Sequence, residues 1–150
     1  MDLPLEELLE DLIDLHRAEV TEAGLQLCPR IEASAHVLGH PQRLRQLLEN
    51  LLSNAQRFSP PGGTITLALE RRGPLVQLSI EDQGPGIPEE QRALVFERFW
   101  QADPSRSGQD HHGLGLSIAL AIAQSHGGRL QAQQASGGGC RMLLELPLAA

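Results

Sequence analysis

Residues 41–82 run PQRLRQLLENLLSNAQRFSPPGGTITLALERRGPLVQLSIED, and within this stretch the hydrophobic period changes once. Up to Phe58 the apolar residues Leu44, Leu47, Leu48, Leu51, Leu52, Ala55 and Phe58 recur at helical spacing and make one broad face. That is the pattern of an amphipathic helix lying on a core. Ser59-Pro60-Pro61-Gly62-Gly63 ends it, because proline has no N–H to continue the ladder and glycine favours turns. Beyond Gly63 the period falls to two. Ile65, Leu67 and Leu69 share one face of a first strand and Val76, Leu78 and Ile80 one face of a second, with Arg71-Arg72-Gly73-Pro74 as the hairpin turn. A one-faced helix followed by a one-faced hairpin predicts a sheet with helices packed on it.

Working outward, Leu5, Leu8, Leu9, Leu12, Ile13 and His16 place an earlier helix over Leu3 to Val20, stopped at Gly24. Leu25 to Ile31 reads as a strand whose Pro29 belongs at a sheet edge, since a prolyl nitrogen cannot donate to a neighbour. His36 to Leu38 is a short extended piece. Downstream, the chain is irregular through Asp82-Gln83-Gly84-Pro85-Gly86, then offers a short helix from about Pro88 to Phe96. Gln101 to His112 forms a polar loop, and a helix from about Gly113 to Ser125 stops at Gly127-Gly128. Two last strands, near Arg129 to Gln134 and Cys140 to Leu146, flank a flexible Ser136-Gly137-Gly138-Gly139. The expected fold class is α/β, a two-layer sandwich with a mixed sheet and helices on one face, in one domain over residues 1–150.

Composition narrows the function. The 150 residues carry 12 basic side chains, all Arg, against 19 acidic ones, a formal charge of -7. Nucleic acid and anionic membrane surfaces call for the opposite balance. With three Phe, one Trp and no Tyr, platforms for stacking bases are also missing. Cys28 and Cys140 lie far apart, which fits free thiols in a reducing compartment. No apolar run approaches the ~18 residues of a membrane helix, and the acidic opening MDLPLEELLED has neither a signal-peptide nor a transit-peptide pattern.

Three segments carry chemistry. Asn50 and Asn54 stand one turn apart on the Leu-rich helix, where two amides either form part of a solvated face or present oxygens to one hard cation or ligand. Asp82 keeps the parity of Val76, Leu78 and Ile80 and so points toward the apolar layer. A carboxylate there needs backbone N–H groups, a cation or a ligand amino group. Gly84 and Gly86 next to it serve either loop geometry or the close approach of a flat ligand. Gly113-Leu114-Gly115-Leu116 opens a helix, whose unpaired first-turn N–H groups and positive dipole end favour phosphate.

In this order NLLSNAQRFSP, EDQGPGIP, FERFW and HGLGLSIA resemble the ATP-binding catalytic domain of bacterial sensor histidine kinases, in the GHKL superfamily with its Bergerat α/β sandwich. The resemblance spans about Leu5 to Leu146. It implies ATP and Mg²⁺ as ligands and a nucleotide-binding set of Asn50, Asn54, Arg57, Phe58, Asp82, Gly84, Gly86, Ile87, Phe99, Gly113, Leu114, Gly115 and Leu116. Within that set Asn54 would hold the metal with Asn50 beside it, and Arg57 would lie near phosphate with Phe58 at the nucleotide. Asp82 would accept from the adenine amino group, Phe96 and Phe99 would anchor a lid, and Gly113, Leu114 and Gly115 would flank the phosphates.

Asn50 stands where hydrolytic members of the superfamily carry a glutamate base. An amide cannot take a proton from water, so the expected reaction is phosphoryl transfer to a histidine and not hydrolysis. The chain departs from the family at Gln101, where Arg is common, at His40, where Asp is common, and at Asp110-His111-His112, where glycines are common. Arg98 and Arg106 are further phosphate candidates. His16 lacks the sequence setting of a phosphoacceptor and sits on an apolar face. The resemblance therefore implies a phosphoacceptor and dimerisation domain elsewhere in the same kinase, a downstream response regulator, and a cytoplasmic position in a membrane-bound sensor. Two other readings share the fold: a catalytically silent nucleotide-sensing domain and an anti-sigma-type serine kinase.

Overall fold

The change of period after Phe58 is where the helical layer hands the chain to the sheet. The structure, a computed structural model, describes residues 1–98, 100 and 114–149. The Leu-rich helix, α2, spans Pro41–Phe58 and buries Leu44, Leu47, Leu48, Leu51, Leu52 and Ala55. It follows β1 (Asp2–Pro4), α1 (Leu5–Glu22), β2 (Gln26–Ile31) and β3 (His36–Leu38). After it come β4 (Thr64–Arg72), β5 (Leu75–Glu81), α3 (Gly115–Ser125), β6 (Arg129–Gln134) and β7 (Cys140–Pro147).

Five strands form one sheet in the order β2-β4-β5-β7-β6. Only β2 and β4 run parallel. Register brings Leu69, Leu78 and Leu144 into one row and Leu67, Ile80 and Met142 into the next. These side chains share a single buried cluster with Leu9 and Leu12 of α1, Leu47 and Leu51 of α2, and Ala119 and Ala123 of α3. The expected α/β sandwich is therefore what the chain forms. Pro29 lies at the sheet edge as read, with β2 paired to β4 alone. Among the described residues no helix is long and apolar enough to cross a membrane.

Several expectations are corrected. Leu3 belongs to β1, which pairs antiparallel with β3, and α1 begins only at Leu5. Pro4 disfavours helix at the residue before it, and Leu5 N donates to Ala35 O at 2.8 Å, tying the helix start to the neighbouring loop. The hairpin turn is Gly73-Pro74 alone, because Arg71 and Arg72 still pair with Val76 and Leu75. Gly73 takes the left-handed φ of 59° that so short a turn requires. The Pro88 to Phe96 helix is two separate 3₁₀ turns, Glu89–Gln91 and Leu94–Phe96. Val95 is their only fully buried side chain, so no apolar stripe holds a longer helix. The segment read as flexible at Ser136-Gly137-Gly138-Gly139 is a closed turn, with Ala135 N donating to Gly139 O at 2.7 Å and Gly138 N to Ala135 O at 3.0 Å.

Candidate functional site

β5 carries the alternation of Val76, Leu78 and Ile80 one step past its end, and Asp82 is consequently buried with 5% of its surface exposed. Its Oδ1 accepts from Gly84 N at 2.9 Å and from Cys140 N at 3.1 Å. Burial raises its pKa above the ordinary carboxylate value, and the two N–H bonds pull back against that rise. Among the described residues Oδ2 accepts no hydrogen bond. The carboxylate is thus fixed in orientation by one oxygen and left with the other to accept from something else.

Glycines crowd this carboxylate. A Cβ on Gly84 would run into the carbonyl oxygen of Phe58, the last residue of α2, and a Cβ on Gly139 into the carbonyl of Asp82 itself. Gly86 has φ +78°, and a Cβ there would lie 2.7 Å from Gly138 O. Gly139 and Cys140 are members of the site that sequence reading missed. Glu81 pairs with Arg141, so the next step of the same antiparallel ladder sets Asp82 opposite Cys140, with Asp82 N donating to Cys140 O at 2.9 Å. That pairing was available only from strand register. Burial first, then the neighbouring Asp82 charge, pushes the Cys140 thiol up to about 12, so it stays a neutral packing group.

On α2, Asn50 and Asn54 are both half-buried. Asn50 Nδ2 donates to Gly115 O at 3.0 Å, which orients the amide and makes Asn50 a link between α2 and the start of α3. Asn54 makes no hydrogen bond among the described residues, so its carboxamide is uncommitted. Phe58 is exposed, and the Arg57 guanidinium lies 4.7 Å over its ring. Arg57 also borders a crevice of about 340 Å³ with Ser53, Gln56, Ala23 and Leu25, beside the C-terminal end of α1. Its pKa is lowered by burial. The structure therefore places Asn50 against the start of α3, with Asn54 one turn further along α2, and rests Arg57 over the Phe58 ring.

Leu114 caps α3 and Gly115 opens it, with Ile118 N making the first helical bond to Leu114 O at 2.9 Å. Among the described residues no side chain caps this end, and an uncapped helix start offers first-turn N–H groups to an anion. Among the described residues a Cβ on Gly115 would have only Asn50 Cγ near it, at 4.0 Å. Leu116 and Ile87 pack partly buried against the core, as do Phe96 and Trp100. Phe99, Gly113 and Gln101 to His112, with Arg106, Asp110, His111 and His112, lie outside the described residues. Among the described residues no group of three His, Cys, Asp or Glu side chains could hold a metal ion. A hard cation at this end would take an amide oxygen together with oxygens brought by its ligand.

Residues 39–150 match the family model described as histidine kinase-, DNA gyrase B-, and HSP90-like ATPase. The chain is 36% identical over 142 residues to the signal transduction histidine-protein kinase BaeS of Escherichia coli (strain K12), which covers 94% of this chain and 30% of that protein. It thus spans under a third of that relative's length. The solved mycobacterial sensor histidine kinase MprB superposes with a TM-score of 0.86 at 31% identity, covering 99% of this chain and 97% of that one. Full-length ShkA in complex with AMPPNP superposes with a TM-score of 0.85 at 29% identity, covering 100% of this chain and 31% of that one.

Proposed function

The chain belongs to the histidine kinase-, DNA gyrase B- and HSP90-like ATPase family, and from that premise we propose that it binds Mg-ATP and passes the γ-phosphoryl group to a histidine on a phosphoacceptor and dimerisation domain of the same kinase. The observation that carries this reading is Asp82. Two backbone N–H groups occupy Oδ1, and Oδ2 is left as an acceptor for the exocyclic amine of adenine. Guanine offers a carbonyl at that place and would be repelled. Gly84 and Gly86 keep side chains away from the base, with Ile87 as apolar wall.

The triphosphate would extend between α2 and the start of α3. Asn54 would hold Mg²⁺ through its uncommitted amide oxygen, and a bound ion there would supply charge neutralisation to the phosphates. Leu114, Gly115 and Leu116 would offer backbone N–H groups to the phosphates and Phe58 would lie against the nucleotide, while the roles assigned to Gly113 at the phosphates and to Phe99 in a lid fall on residues outside those described. Arg57 reaches phosphate only by leaving its place on the Phe58 ring.

Asn50 supports transfer over hydrolysis. Its amide nitrogen is spent on Gly115 O, and an amide oxygen does not take a proton from water at neutral pH. A neutral imidazole needs no base, because its ring nitrogen already has a lone pair. The new N–P bond forms as the bond from the γ-phosphorus to the bridging oxygen breaks, and ADP departs with the electron pair. The phosphohistidine then supplies a response-regulator aspartate, on the cytoplasmic side of a membrane-bound sensor.

The test mixes this domain with the phosphoacceptor domain of its own kinase and γ-labelled ATP, with and without Mg²⁺. Acid-labile, base-stable label on a histidine of the acceptor is the expected product, and Asn54→Ala is expected to lose the Mg²⁺-dependent part. Label on serine, or nucleotide binding with no transfer to any acceptor, overturns the histidine-kinase reading.

A further inference from the structure

α2 and α3 pack side by side, and polar side chains close the pair at both ends. One closure is the bond from Asn50 to Gly115 O. The other lies eleven residues along α3, about 16 Å at ~1.5 Å per residue, where His126 caps the helix and meets Gly39 and His40 just ahead of α2. His126 Nδ1 lies 2.8 Å from Ile122 O, and Nε2 lies 3.1 Å from His40 N. A carbonyl only accepts and a backbone N–H only donates, so the tautomer is fixed: Nδ1 carries the proton and Nε2 offers its lone pair.

Each partner is a group that a helix end leaves open. The backbone N–H of His126 turns to Ala123 O at 3.1 Å, which leaves Ile122 O to the ring and to Ser125 Oγ at 2.7 Å. At the start of α2 the N-cap residue, His40, has no side-chain cap bond of its own. One imidazole therefore joins the C-terminus of α3 to the N-terminus of α2. The ring sits so close to Gly39 that a Cβ there would lie 2.7 Å from Nε2.

We propose that His126 is a positioning residue for nucleotide binding: it holds the far ends of α2 and α3 together so that the start of α3 stays opposite Asn50 and Asn54. The role rests on the ATP reading above, and His126 itself touches no nucleotide. With the far end untied, the two helices are free to shift against each other, and the gap between the Asn54 amide and the Gly115 backbone is no longer set before the ligand arrives.

Calorimetric titration of a nonhydrolysable ATP analogue with Mg²⁺ into the full chain tests it, using His126→Ala, His126→Gln, Gly39→Ala and the Gly39→Ala/His126→Ala double variant. His126→Ala is expected to weaken affinity about fivefold, while His126→Gln, whose carboxamide offers one donor and one acceptor, stays within about twofold of the parent. Gly39→Ala pushes the ring away from the other side and is expected to match His126→Ala. In the double variant the added methyl meets Leu44 Cδ1 at 3.1 Å but no longer the ring, so it costs little further. Should His126→Ala fail to fold, the Gly39→Ala loss and the His126→Gln recovery decide. Parental affinity in a folded His126→Ala, or a Gly39→Ala loss undiminished in the double variant, overturns the role while leaving ATP binding intact. No binding by the parent protein overturns the ATP reading, and the role of His126 falls with it.

Discussion

The two ends of the candidate nucleotide site are built on different plans. At the Asp82 end the chain is backbone against backbone: Gly84 meets the carbonyl of Phe58, Gly139 that of Asp82, and Gly86 that of Gly138. At the Asn54 end side chains and a helix start take the place of backbone, and among the described residues the nearest atom to a Cβ on Gly115 is Asn50 Cγ at 4.0 Å. A flat, uncharged base is recognised by shape and one buried acceptor, so its walls must be in place before it arrives. A triphosphate brings charge and a metal ion of its own, and the protein there needs only donors and an amide that the ligand can organise. Rigidity is concentrated where the ligand has the least to offer.

The largest expected effect of that difference is at Gly139. Gly139→Ala puts a methyl into the Asp82 carbonyl, and neither partner is a flexible side chain that can move aside. Overpacking of this kind costs roughly 1–3 kcal/mol or more, and relief means opening the ladder that holds Asp82. Chemical denaturation should show that loss, and calorimetry should show nucleotide binding abolished. A Gly139→Ala protein with parental stability and affinity would mean that the base end is as yielding as the phosphate end.

Asp82→Asn comes next, and affinity and stability are expected to move in opposite directions. Loss of a bond from a charged acceptor to the base amine is worth about 1.5–3 kcal/mol, or roughly 10- to 100-fold in affinity. Stability follows the titration. The folded-state pKa of Asp82 is raised above the ordinary value of 3.8, so between the two values the native state holds more protons than the unfolded chain. Stability of the parent therefore falls as pH rises through that window. The asparagine oxygen still accepts from Gly84 and Cys140 without a buried charge, and Asp82→Asn should melt near the parent in acid and above it at neutral pH. A variant that melts below the parent at neutral pH, with no trend across the window, removes the idea that this carboxylate is kept for the ligand at the expense of the fold.

Asp82 was legible in the sequence because its burial follows from strand parity alone, and Asn50 and Asn54 because helical spacing is equally local. What escaped depends on partners far along the chain. The β1–β3 ribbon is three residues a side and its first strand ends at Pro4, directly before the helix, so no period announces it. Gly137 to Gly139 read as slack because glycine in sequence signals freedom, whereas the turn is closed by the bonds of Ala135 with Gly138 and Gly139, and Gly139 is pressed against the Asp82 backbone. Arg57 shares the Asn50 stripe by helical angle, yet its long stem carries the guanidinium over Phe58, a direction that helix geometry does not fix. His126 read as an ordinary residue before a glycine stop, and its bond to His40 spans 86 positions.

The smallest expected effect sharpens the contrast most, because it uses the same substitution at the other end. Gly115 begins α3, and among the described residues nothing comes nearer than 4.0 Å to the place of its missing side chain. Gly115→Ala should therefore stabilise the fold by about 0.4–1 kcal/mol, since alanine gives up less chain entropy in a helix. Affinity for the Mg²⁺-bound analogue should fall threefold or less, on the order of 0.6 kcal/mol, because the phosphates meet N–H groups that a methyl beside Asn50 does not block. If thermal denaturation shows the gain and calorimetry the small loss, the phosphate end tolerates what the base end cannot. If affinity collapses as in Gly139→Ala while stability rises, the phosphate must approach the Gly115 backbone as tightly as the base approaches Gly86, and the two ends obey one plan after all.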